Sequence, residues 1–228
     1  MDTFRPPTVL ALALWALTAC AGRTSPALGA VRLGFEPGRE NPAFLSLRTG
    51  TGETGRWSVH PDPERAGEHV LAQESDDPTS YRFPLYVLQG FAARDGSLSA
   101  RFRSVRGEVD QAAGLVARLR DADNYYVVRA NALEGNVRLY RVVAGERQQF
   151  AGADVPVSPG AWHELRLDLA GERFAVFLDG ALLFTAEDGV FPGAGAIGLW
   201  TKADSVSWFD DLAWVPAAPD GPLSAGGV

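Results

Sequence analysis

The sequence predicts an all-β domain, built as two packed antiparallel sheets in a jelly-roll sandwich, and three observations carry this. Apolar and polar residues alternate with period two through most of the chain, and no helical period is sustained over ten residues. Glycine-bearing turns punctuate these runs at short intervals. Finally, 25 Gly, 15 Pro, six Trp and twelve Phe fit many short strands closing on an aromatic-rich core.

At the N-terminus, Arg5 precedes a continuous apolar run, Thr8 to Leu17, too short to span a bilayer comfortably and of the length of an export signal. The run ends in Leu17-Thr18-Ala19-Cys20, which resembles the bacterial lipobox. That resemblance implies cleavage after residue 19 and a lipid on Cys20, with the mature domain outside the cytoplasm at the cell envelope. Cys20 is the single cysteine, so no internal disulfide is available to it. An ordinary secretory signal cut near Ala19 or Ala21 is the alternative. By the same resemblance, Ala21 in place of Asp after the cysteine points to the outer membrane in a Gram-negative host.

Residues 21–30 are small and polar, with Pro26 and Gly29, and read as a tether continuing from Cys20. The domain is expected over 31–215, and 216–228, rich in Pro, Ala and Gly, as a frayed tail. Removing residues 1–19 takes away Asp2 and Arg5, so the net charge stays at -7. An acidic chain lacks the dense positive charge that nucleic acid or an anionic membrane surface demands, so membrane contact is expected through the lipid alone.

Along the domain, Leu98, Ala100 and Phe102 fall on one side of a strand, with Arg101 and Arg103 on the other. Further strands are predicted at 114–120, 125–130, 137–143, 162–169, 173–178, 181–186, 194–200 and 205–215. Glu134-Gly135-Asn136, Ala144-Gly145-Glu146 and Ala170-Gly171-Glu172 each place a Gly where a hairpin needs positive φ, and Asp179-Gly180 is the strongest such signal.

An ordered series of segments then carries a resemblance: Gly114 to Arg129, Val137 to Gly145, Trp162-His163-Glu164-Leu165-Arg166-Leu167, Phe177-Leu178-Asp179-Gly180, Gly198 to Ser205, and Phe209-Asp210-Asp211-Leu212. It resembles the concanavalin A-like lectin/glucanase superfamily, and within it bacterial laminin-G-like and 3-keto-disaccharide hydrolase-like domains. The resemblance implies the sandwich and a carbohydrate partner, but it spans lectins, glycosidases and adhesion modules alike.

Glu108-Val109-Asp110-Gln111 imitates the first half of the Glu-x-Asp-x-(x)-Glu strand of family-16 glycosidases, but Ala112 and Ala113 stand where the second Glu belongs. The three histidines, His60, His69 and His163, lie in separate segments without metal-ligand spacing, and no Gly-x-Ser-x-Gly elbow occurs. No catalytic set is therefore expected.

A ligand face is expected instead from Arg118, Asn124, Tyr125, Arg129, Trp200 and Lys202, which offer planar donors, acceptors and aromatic plates to a sugar. In this reading Val116, Arg118 and Arg120 share one strand face, and Tyr125, Val127 and Arg129 share another. The alternative pairs these arginines with Asp121, Asp123 and Glu134 on a solvated sheet while the aromatics fill the core. Resemblance to jelly-roll carbohydrate modules also implies a structural Ca²⁺ held by Glu36, Asp210 and Asp211, hard oxygen donors too few for a full shell without backbone carbonyls. The function expected is a non-catalytic glycan-binding or interaction lipoprotein of the envelope. Its rivals are a glycoside hydrolase and a structural module without a small ligand.

Overall fold

The computed structural model describes residues 29–36 and 42–218. Cys20, the signal and most of the expected tether and tail lie outside the described residues. Among the described residues there are fifteen strands and no helix.

The first half contributes β1 (Val31–Leu33), β2 (Phe44–Gly50), β3 (Trp57–Pro61), β4 (His69–Gln73), β5 (Arg82–Leu88), β6 (Gly96–Arg106) and β7 (Ala112–Asp121). The second half adds β8 (Asn124–Asn131), β9 (Asn136–Val143), β10 (Glu146–Asp154), β11 (Trp162–Ala170), β12 (Arg173–Leu178), β13 (Ala181–Glu187), β14 (Ala196–Thr201) and β15 (Val206–Pro216). The eight strands predicted from 114 onward all form, each within two residues of its expected ends. The final strand runs one residue further than expected, since Pro216 still pairs with Gly96. β10 was not predicted: Glu146-Arg147-Gln148-Gln149 carries no apolar alternation.

All pairings are antiparallel, in two sheets. One runs β13-β12-β11-β6-β15-β4-β3, with β1 also against β15; the other runs β10-β9-β8-β7-β14-β5-β2. The main core lies between them, where Leu98, Ala100 and Phe102 of β6 meet Leu115, Tyr126 and Leu199 of the facing sheet. Alternation thus aims Arg101 and Arg103 outward, as expected. The Asp179-Gly180 hairpin forms with both residues at positive φ, 50° and 79°, matching the strand twist.

Candidate functional site

β7 departs from simple alternation at Arg118. Its φ is 50°, and the pairing with β8 shifts register between Ala117 and Asp121. A bulge of this kind exchanges the faces of the residues that follow. Leu119 consequently joins Val116 on the outer face, and Arg118 leaves the face on which it was expected. Its guanidinium is 1% exposed and donates to the carbonyls of Arg94 (3.1 Å), Phe191 (3.1 Å) and Gly171 (2.7 Å) and to Asp95 (3.1 Å). Arg118 therefore clamps three loops, and its donors are occupied by protein groups.

Tyr125, Val127 and Arg129 do share the outer face of β8, as expected, but that face is not an open plate. β2 and β8 are separated by β5, β14 and β7, which in a flat sheet would set them about 19 Å apart. Yet the Thr49 and Tyr125 hydroxyls lie 2.7 Å from each other, and Thr49 also donates to Ala122 O at 2.5 Å. From β10, Arg147 reaches to 4.8 Å from the Phe83 ring, 4.4 Å from Tyr140 and 5.8 Å from Trp200. Tyr81 at the start of β5 donates to Gly145 O in the β9–β10 hairpin at 2.8 Å.

The seven-stranded sheet is thus curled tightly enough to close its outer face into a second apolar cluster. Tyr125 and Trp200 are both 0% exposed, so neither can stack on a ligand from solvent. Burial pushes the Tyr125 hydroxyl up to about 12, against the pull of its hydrogen bond to Thr49. The Trp200 indole N–H approaches the same hydroxyl without making a well-directed hydrogen bond.

The remaining expected residues are engaged with protein groups. Arg129 donates to Asn136, to Glu134 at 2.6 Å and to the Tyr140 hydroxyl at 3.1 Å. Of the acidic partners weighed from sequence for these arginines, Glu134 is the one that pairs. Asn124 ties two hairpins, donating to Asp121 at 2.9 Å and accepting from Ala144 N at 3.1 Å. Lys202 pairs with Asp110, whose other oxygen accepts from Asn131 at 2.7 Å. Burial pushes the Asp110 carboxyl up, and Lys202 opposes it. Nor does the Glu108-Val109-Asp110 segment form a glycosidase strand. It is a turn whose three N–H groups point at the Asp204 carboxylate.

The open polar site lies on the other sheet. β15 pairs with β4 through Ser207–Phe209 and with β1 through Leu212–Trp214, and between these stretches its register against β6 slips at Asp210/Ala213. Asp211 sits at φ 51° in this bulge. The break opens a cleft of about 530 Å³, walled by Arg32, Glu36 and Glu68, by Ser99 and Glu164, and by Asp210 and Asp211.

The cleft is lined mainly by carboxylates, with Arg32 among them, and two further arginines pair with its aspartates. Arg101 lies 3.7 Å from Asp210 and 3.6 Å from Asp211, and stacks at 4.7 Å over the Trp162 ring. Arg65 reaches Asp210 at 3.7 Å and Glu68 at 4.0 Å. Burial pushes the Asp210 carboxyl up, while the Asp211 N–H pulls it down. Glu164 is placed by its own backbone N–H, which donates to Asp179 at 2.8 Å. Sequence reasoning missed Arg32, Glu68, Ser99 and Glu164. The available signal was the pair Asp210-Asp211, which breaks period two inside a strand.

The three residues expected to hold calcium do come together here, all lining the cleft. They do not form a cation shell. Glu36 accepts from the His69 backbone N–H at 3.1 Å and faces its ring Nδ1 at 3.3 Å, while Arg65 and Arg101 stand against Asp210 where a cation would sit. Among the described residues no group of three His, Cys, Asp or Glu is placed to hold a metal ion. The donor set does not fit calcium.

No protein-family model matches the chain, and a search of curated proteins finds no match. Solved structures do match. Carbohydrate binding module CBM66 from Bacillus subtilis superposes with a TM-score of 0.61 at 20% identity, over 75% of this chain and 94% of that one. A β-glucanase from Bacillus licheniformis superposes with a TM-score of 0.56 at 12% identity, over 83% and 99% of the two chains. A prokaryotic β-1,3-1,4-glucanase (lichenase) derived from a mouse hindgut metagenome gives a TM-score of 0.54 at 11% identity, over 83% and 100%. At such identities the likeness is one of fold: the domain is a two-sheet antiparallel jelly-roll sandwich, as these structures are.

Proposed function

We propose that the chain is a non-catalytic glycan-binding lipoprotein of the bacterial cell envelope, and that the cleft beside the β15 bulge holds the glycan. The observation that carries this reading is the polar lining of the cleft: the carboxylates Glu36, Glu68, Glu164, Asp210 and Asp211 beside Arg32 and Ser99, with Arg65 and Arg101 held at ion-pair distance from Asp210. A sugar hydroxyl donates and accepts at once, so a wall offering fixed acceptors beside fixed donors suits neighbouring hydroxyls. The carbohydrate-binding module among the fold neighbours supports the same class of ligand. The apolar run ending at Cys20 supports the lipid anchor and the envelope location.

A hydrolase at the same cleft is the second reading, favoured by Asp210, whose buried carboxyl is pushed up beside the exposed Asp211. Glycosidases require an acid and a second carboxylate acting together.

A glycan array with the purified chain and its Glu164→Ala variant tests the binding reading. Binding to a defined glycan that Glu164→Ala weakens is the expected result, with no release of reducing ends from that glycan on long incubation. Release of reducing ends would establish the hydrolase, and a blank array would remove both. Labelled palmitate should enter the chain in cells and be lost in Cys20→Ser.

A further inference from the structure

The curl that closes the outer face of the seven-stranded sheet leaves one end open. There a groove of about 810 Å³ is walled by Leu45 and Leu47 of β2, Val87 of β5, Leu119 of β7 and Ala196 of β14. Leu45 is 44% exposed, while Val87 and Leu119 of the same wall also belong to the buried outer cluster. The bulge at Arg118 is what turns Leu119 into this wall.

The polar groups that line the groove are Gln89, Arg120 and Asp121. The Arg120 guanidinium lies 4.8 Å over the Phe191 ring and makes no ion pair among the described residues. The Asp121 carboxylate is taken up within its own turn, accepting from Asp123 N at 2.8 Å and Asn124 at 2.9 Å. Arg120, in no ion pair among the described residues, therefore stands at the apolar wall, while the Asp121 oxygens are turned to donors of their own turn.

We propose that this groove binds a fatty acid, with the aliphatic chain along Leu45, Leu47, Val87, Leu119 and Ala196 and the carboxylate at Arg120. A sugar would meet almost no hydrogen-bonding groups along this wall, and its hydroxyls would be stripped of water without replacement. An alkyl chain loses nothing by leaving water there, and its anionic end meets the free guanidinium. The site is separate from the charged cleft and stands or falls independently of glycan binding.

The test is calorimetric titration of sodium dodecanoate, below its micelle concentration, into the full chain carrying Cys20→Ser, so that no attached lipid competes. One-to-one binding is expected, weakened about tenfold in Leu45→Asp, a change at an exposed position. In Arg120→Gln the preference for dodecanoate over dodecyltrimethylammonium should vanish. Glu164→Ala should bind dodecanoate as the parent does. In the unaltered groove, dodecanoate should shift the amide resonances of Leu47, Leu119 and Ala196, a readout that needs no variant. Heats no larger than dilution, equal affinity in Leu45→Asp, or tighter binding of the cationic amphiphile by the parent would overturn the proposal.

Discussion

Arg118 illustrates how far a residue's type can mislead about its role. In sequence it stands between Ala117 and Leu119 in an alternating run, where an arginine reads as solvent-facing. A bulge is set by pairing across strands, so nothing local to Gly114–Arg120 announces it. Arg118→Ala would strand three loop carbonyls and Asp95, which now accept from one buried guanidinium. We expect it to lower unfolding stability by about 3 kcal/mol in urea titration, with Arg118→Lys recovering little because one ammonium cannot reach four acceptors. Arg129 falls on the face it is expected to share with Tyr125 and Val127, and its partner Glu134 is legible in sequence; the partner of Lys202 is not, since Asp110 looks like a fragment of a catalytic strand.

Asp77 supplies a titration at the same scale. The Thr79 hydroxyl at 2.6 Å, and then the backbone N–H groups of Glu53 at 2.7 Å and Thr79 at 2.9 Å, hold its carboxyl at about 2. Because the folded value lies below the unfolded one of about 3.9, this contribution is fully present above pH 4. It is lost as pH falls through about 2. Asp77→Asn should therefore be less stable than the parent near neutrality. The gap between them should narrow between pH 4 and 2, as followed by thermal melting.

At the scale of elements, hairpins and strand faces were the most legible features. Asp179-Gly180 fixes its turn through local chemistry, and Leu98, Ala100 and Phe102 alternate with arginines because one sheet face is wet. β10 was missed because it is an edge strand, and its polar side chains satisfy a pairing that needs no buried face. The close approaches of backbone to backbone were equally silent. Gly198 in β14 lies so near β5 that an added Cβ would meet Tyr86 O at 2.4 Å and the Val87 Cα at 2.9 Å. Gly198→Ala should cost about 1–3 kcal/mol by overpacking, read as a lowered midpoint in denaturant with an unchanged slope.

At the scale of the whole molecule, the two-sheet architecture was recoverable from periodicity, but the position of the open site was not. The expected ligand face requires Tyr125 and Trp200 to be displayed to solvent. The curl that joins Thr49 to Tyr125 and lays Arg147 over Phe83 and Trp200 turns that face into a core. Sheet curvature accumulates from twist and bulges over several strands, so no single segment encodes it. The cleft arises from the exchange of β4 for β1 beside β15, a long-range event marked in sequence only by Asp210-Asp211.

The claim that the ligand enters this cleft and not the curled face is tested most directly by nuclear magnetic resonance. The strongest glycan from the array is titrated into isotope-labelled protein. Saturable shifts are predicted at the backbone amides of Arg32, Ser99, Glu164 and Ala213, with the Trp200 indole N–H unmoved. Shifts centred on Trp200, Arg129 and Lys202, with the cleft amides unchanged, would contradict the account.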